Sequence, residues 1–146
     1  RFVGSVGWRQ NEQTFDAVRG EAKLGPVSLD ATYAISQRTI FGIDAGPRQD
    51  YDGNFVFLGA GVKAGPVTVK AFSYLLDYDE AFFLSNSSQT YGARATGAVP
   101  LGKKAKLNLT ASYAKQMDMA ANSFDYSADY LAGEAGLAYK DFTLTA

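Results

Sequence analysis

Neither histidine nor cysteine occurs among the 146 residues. Without cysteine there is no disulfide framework and no thiolate metal site. Without histidine, the commonest general base and the commonest zinc ligand are both missing. Proline is scarce at 4 residues, and a formal net charge of −1 gives no bulk positive charge to hold nucleic acid. No apolar run approaches the roughly 20 residues a membrane-spanning helix requires; the longest candidates, such as Val56 to Val62, are short and broken by glycine. No charged-then-apolar leader opens the sequence, so any signal peptide is expected to be absent already.

What is present is apolar and aromatic enough, at 47% and 14%, to exclude a disordered segment, and the length suits one domain. Apolar and polar residues alternate with period two along most of the chain, the signature of half-exposed strands. In the stretch from Ala105 to Gln116, Ala105, Leu107, Leu109, Ala111 and Tyr113 alternate with Lys106, Asn108, Thr110 and Ser112. From Ser28 to Thr39, Leu29, Ala31, Tyr33 and Ile35 face away from Ser28, Asp30, Thr32 and Ser36. The pattern predicts about nine strands in an all-β, antiparallel up-and-down meander.

The connections alternate between two kinds. Tight turns are expected at Gly25-Pro26, Gly65-Pro66, Leu101 to Lys103 and Lys140-Asp141. Longer polar loops are expected at Arg9 to Thr14, Gly42 to Asp52, Asp77 to Ser88 and Met117 to Asp125. A weak repeat accompanies them: Lys23-Leu24-Gly25-Pro26-Val27-Ser28-Leu29 returns as Lys63-Ala64-Gly65-Pro66-Val67-Thr68-Val69, 40 residues later. Short turns at one end and long loops at the other are the asymmetry of an outer-membrane barrel. A soluble meander or lipocalin-like barrel, with its apolar face inward, shares the alternation.

Three features favour an outward apolar face. The polar face carries mid-strand charges. The apolar face is small in the middle, with Ala60, Val62, Ala71, Ala93, Ala95 and Ala135, where a soluble core would need larger residues. Aromatics gather near strand ends: Trp8, Phe41, Tyr78, Tyr91, Tyr113 and Tyr126 toward the loops, Tyr139 and Phe142 at the turns, as in an aromatic girdle. Phe55, Phe57, Phe72, Tyr74 and Tyr130 break this parity. They fall on the charged face, to pack against an inward-folded loop, to line a path for sugar rings, or to mark a bulge.

The candidate pore-lining residues are Arg19, Glu21, Lys23, Arg38, Lys63, Lys70, Arg94, Lys106 and Glu134. With Asp30 they place seven basic and three acidic residues on the inward face, while ten acidic residues lie in or beside the long loops. A basic lumen concentrates anions; alternatively the charges pair across strands and keep the wall wet and rigid. Catalysis has little to build on. The carboxylates at Asp77, Asp79 and Glu80, and at Asp44, Asp50 and Asp52, sit in loops and lack EF-hand spacing. The expectation is a non-enzyme with no cofactor and no metal site.

The stretch Arg1-Phe2-Val3-Gly4-Ser5-Val6-Gly7-Trp8-Arg9-Gln10-Asn11-Glu12-Gln13-Thr14-Phe15-Asp16-Ala17 resembles a segment of the alginate-export-type porins of Gram-negative bacteria. Ser87-Ser88-Gln89-Thr90-Tyr91-Gly92 resembles a later strand start in the same family. The resemblance implies that residues 1–146 are part of a single outer-membrane β-barrel domain, truncated at both ends. It implies a pore with substrate passing through the lumen, expected to be small hydrophilic solutes, anionic or saccharide. Membrane lipid is the expected surrounding, the acidic loops suit contact with lipopolysaccharide, and the net charge argues against nucleic acid. A structural or adhesive β-sheet protein, soluble with its apolar face packed inward, is the alternative.

Overall fold

The computed structural model describes residues 13–102, 104–140 and 142–145. It contains eight strands: β1 (Thr14–Leu24), β2 (Val27–Arg38), β3 (Asp50–Ala64), β4 (Val67–Tyr78), β5 (Ser88–Leu101), β6 (Ala105–Asp118), β7 (Ser127–Tyr139) and β8 (Phe142–Thr145). They form one sheet in sequence order, each strand antiparallel to the next. Among the described residues the sheet is an open meander with β1 and β8 at its edges. The two helical segments, Gly46–Arg48 and Leu84–Asn86, are single 3₁₀ turns in loops. The stretch ahead of Gln13, which carries Trp8 and most of the first family-like segment, lies outside the described residues.

The tight ends follow from local chemistry. Gly25 and Gly65 each have φ +59° and each precedes a proline. Proline holds φ near −65°, so only a turn with its positive φ at the first central position suits these dipeptides. That is type II′, whose twist matches the flanking strands. The repeat seen in the sequence is therefore a repeated hairpin.

Residue pairing sorts the strands onto two faces. One carries Leu29, Ala31 and Tyr33 of β2, Leu58 and Ala60 of β3, Val69 and Ala71 of β4, and Ala93 and Ala95 of β5. Leu109, Ala111 and Tyr113 of β6 and Leu131 of β7 continue it. The other carries Arg19, Asp30, Lys70, Arg94 and the aromatic residues that broke the parity. Crowding distinguishes the two. Ala34, Phe55, Phe72, Ser112 and Ala114 on the charged face are buried, although two are alanines. On the apolar face even Tyr33, Leu58 and Tyr113 are nearly half exposed, and Leu131 is 83% exposed. The charged face is thus the more enclosed side of the sheet, and the apolar side chains, many of them alanines, lie on the open one.

Near the loop end the strict alternation fails. The β1–β2 register shifts between Asp16 and Ala17, and the β2–β3 register shifts between Ala34 and Ser36. Past the shift Gln37 pairs with Tyr51, while Arg38 pairs with Thr14 and Asp50. Tyr51 packs on Tyr78 and Phe83, within the cluster around Phe55 on the enclosed side. Arg38, its neighbour in register, therefore lies on the opposite face. An inserted residue moves every side chain beyond it to the other side. Ser36 moves with it, and both differ from their expected inward placement.

Candidate functional site

The enclosed face is built around a gap in β3. Asp30 on β2 pairs in register with Gly59, and Lys70 on β4 pairs with Gly61. Neither glycine presents a side chain, so Asp30 and Lys70 meet across β3. The Lys70 Nζ stands 2.8 Å from the Asp30 Oδ2, and the carboxylate rests over Gly59, where a Cβ would overlap it. Arg19 extends the group from β1. Its Nε donates to Glu21 Oε1 at 3.0 Å, and its terminal nitrogen lies 3.9 Å from Asp30 Oδ1. Glu21, Arg19, Asp30 and Lys70 therefore form a cross-strand chain in which two positive and two negative charges offset each other. These side chains are partly solvated, so each pair contributes only about 1 kcal/mol or less.

Of the nine expected lining residues, Arg19, Glu21 and Lys70 come together in this chain. Lys23, Lys63, Arg94, Lys106 and Glu134 lie on the same face by register but spread along it: Lys23, Lys63 and Lys106 toward the turns, Arg94 beside Lys70, and Glu134 opposite Thr110. With Arg38 on the other face, the enclosed wall carries six basic residues against Glu21, Asp30 and Glu134. The acidic residues Asp50, Asp52, Asp77, Asp79, Glu80 and Asp118 lie at the loop end. Among the described residues no three acidic side chains gather where a metal ion would be held.

Directly above the ionic chain, toward the loops, lies an aromatic step. Phe57 and Tyr74 pair across β3 and β4 with ring centroids 5.6 Å apart, and Phe72 stacks obliquely on Tyr74 at 4.9 Å. Phe15 from β1 meets Phe57 edge-on at 5.8 Å. These rings and Arg19, Asp30, Thr32 and Lys70 line a hollow of about 310 Å³. A second hollow, of about 270 Å³, opens on the far side of Phe72 and Tyr74 and runs to Tyr130. A third hollow, of about 700 Å³, lies over Gly20, Ala22, Ala31, Ala60 and Ala71 on the apolar face, where it offers a solute almost no polar group.

The loop end is closed inward. Phe83, in the β4–β5 loop, packs on Tyr51 at 4.3 Å, and Tyr51 meets Tyr78, which in turn packs on buried Phe55. The Tyr78 backbone N–H donates to the Ser87 Oγ at 3.0 Å. Asn122, in the β6–β7 loop, donates to the carbonyls of Ser85 and Ser87 at 3.0 and 2.7 Å, joining the two loops. Tyr78 is thus a buried member of the inner cluster, contrary to its expected place in the girdle.

On the apolar face the tyrosines near the loop end are arranged alike. The hydroxyl of Tyr33 donates to Asn54 Oδ1 at 2.6 Å, that of Tyr91 to Gln89 Oε1 at 3.0 Å, and that of Tyr113 to Asp129 Oδ1 at 2.6 Å. Each ring lies against the apolar surface, and each hydroxyl points to a polar group one step nearer the loops. Tyr139 and Phe142 pair on the same face at the turn end. In the sequence Tyr33 is only an alternation position; its hydroxyl joins this row of tyrosines because Asn54, 21 residues later, stands diagonally opposite.

The chain matches no protein-family model, no curated protein and no solved structure.

Proposed function

We propose that the chain forms part of the wall of an outer-membrane pore that passes small hydrophilic solutes, with lipid against its apolar face. The observation that carries this reading is the apolar face itself, exposed across the sheet and bordered by tyrosines whose hydroxyls bond polar neighbours on the loop side. Amphipathic rings at that position suit a boundary between hydrocarbon and headgroups. The span agrees. From Tyr91 to Leu101 the outward residues of β5 are Tyr91, Ala93, Ala95, Gly97, Val99 and Leu101, with no charge among them. Ten steps of roughly 3.3 Å give about 33 Å along the strand. At the tilt of about 40° usual in barrels this is about 25 Å of height, the thickness of the apolar band.

The enclosed face supports passage rather than chemistry. Six basic residues face Glu21, Asp30 and Glu134 on it, and three of the six, Lys23, Lys63 and Lys106, stand toward the turns. Lys23, Lys63, Arg94 and Lys106 raise the local concentration of anions. The resemblance to alginate-export-type porins agrees with a pore and assigns no cargo.

The test is ion selectivity of the full chain in planar bilayers. Wild type is expected to conduct with a preference for anions, and Arg94→Glu with Lys70→Glu is expected to move the permeability ratio toward cations by roughly twofold. Cation selectivity that the double substitution leaves unchanged overturns the anion preference. A chain that stays monomeric and soluble without detergent and gives no conductance overturns the pore, and favours the soluble sheet.

A further inference from the structure

Four residues follow one another across the enclosed face in strict register: Phe72 on β4, Gly92 on β5, Ala114 on β6 and Tyr130 on β7. The middle two are the smallest side chains available, and the outer two are aromatic. Three inter-strand spacings separate Phe72 from Tyr130, about 14 Å of floor. The Phe72 ring lies over Gly92, where any Cβ would overlap it, so the ring is laid down toward the middle of this floor. Tyr130 is 56% exposed and stands at the other end. The next row toward the loops is Tyr74, Thr90, Gln116 and Ala128, and Ser112 borders the floor on the turn side. The result is the hollow of about 270 Å³, with aromatic walls and hydroxyl and amide groups along its rim.

We propose that this slot binds a single uncharged sugar ring, a hexopyranose or one unit of a neutral oligosaccharide; the inference rests on the pore reading for its place in transport. A pyranose has a face of C–H groups and a rim of hydroxyls. The C–H face suits the negative face of an aromatic ring, here Phe72, Tyr74 and Tyr130. The hydroxyls need donors and acceptors, and Thr90, Ser112 and Gln116 supply both kinds. The slot's own lining holds no cationic side chain; Arg94, opposite Ser112 in register, stands in the next row toward the turns. The one carboxylate bordering it, Asp129, is turned to the apolar face, where it accepts from Tyr113. A few polar groups within an apolar, largely preformed hollow are the usual basis of small-molecule recognition. Only tertiary pairing assembles the slot, because Phe72 and Tyr130 are 58 positions apart.

The test is calorimetric titration of the full chain in a zwitterionic, sugar-free detergent with glucose, maltose and glucuronate, alongside bilayer conductance. Wild type is expected to bind glucose and maltose saturably. Tyr130→Ser is expected to weaken that binding about tenfold, the upper end of what one aromatic contact contributes. Gln116→Ala weakens it separately, and its smaller side-chain change guards against a folding defect in the first variant. Titration with no saturable heat from either neutral sugar overturns the proposal. So does equal affinity in wild type and both variants, or saturable binding of glucuronate alone, which assigns recognition to the basic residues. Conductance is read independently: sugar binding without conductance sinks the pore reading and leaves the slot, and conductance without sugar binding does the reverse.

Discussion

Asp30 and Lys70 stand on strands that are not neighbours, and only the missing side chains of Gly59 and Gly61 let them touch. Gly59→Ala places a methyl group in the space of the Asp30 carboxylate. It is expected to displace Asp30 and cost about 1–3 kcal/mol, as overpacking does. Gly92→Ala is expected to act in the same range by lifting Phe72 off its floor. Gly133→Ala is the control: a Cβ there meets nothing within 4 Å, and its stability is expected to stay within about 0.5 kcal/mol of wild type. Equilibrium unfolding of the three variants in one detergent checks the ranking. A Gly59→Ala protein as stable as Gly133→Ala means that the carboxylate has room to move aside.

At the scale of strands, turns and loops, alternation and turn chemistry made much of the fold legible. The hairpins at Gly25-Pro26 and Gly65-Pro66 are written in the dipeptides themselves, and the charged mid-strand positions name the face they share. Arg38 was not legible, because a register shift near Ile35 leaves no mark in periodicity yet reverses everything after it. Tyr78 was not legible either. Its burial depends on Phe55 and Tyr51, which β3 brings alongside, whereas a strand-end tyrosine reads from sequence as a girdle residue. The slot from Phe72 to Tyr130 shows the same limit: the sequence marked each aromatic as an exception to parity, and only pairing puts them in one row. Turn chemistry also predicts where the chain is strained. Lys140 has φ +53° at a tight turn, a left-handed conformation that costs a non-glycine residue roughly 1–2 kcal/mol. Lys140→Gly is expected to raise stability by up to about 1 kcal/mol, since glycine's greater unfolded-state freedom offsets part of the relief. The Lys140 Nζ stands 5.6 Å from the Tyr139 ring centroid; a lower unfolding midpoint in that variant means that losing this cation–π contact outweighs the relief. At the loop end, Asn122→Ala removes both donors to Ser85 and Ser87, and faster amide exchange across residues 79–87 is the expected result.

For the whole molecule, the decisive question is what lies against the apolar face, and two adjacent positions on β5 pose it. Ala95 points to the apolar face midway along the strand, and Thr96 points to the enclosed face beside it. If lipid covers the first and water the second, Ala95→Arg carries a charge into hydrocarbon and is expected to cost about 2–4 kcal/mol, falling to about 0–1 near the interface. Gln89→Arg, on the same face at the loop-end boundary, is the shallow member of that series. Thr96→Arg adds one more base to a solvated wall that already holds Arg94 and Lys63, and its cost is expected to stay near the 0.5 kcal/mol of an ordinary surface change. Reversible unfolding from phospholipid vesicles measures all three. A protein core against the apolar face also penalises Ala95→Arg, so depth is the discriminating variable. Lipid gives a penalty graded with distance from the boundary tyrosines, in a protein that folds only with lipid or detergent present. A packed core gives a penalty set by the tightness of each site, in a protein that folds in buffer. Equal losses at Ala95 and Gln89, with folding in buffer, turn the apolar face inward and leave the basic wall as an outer surface.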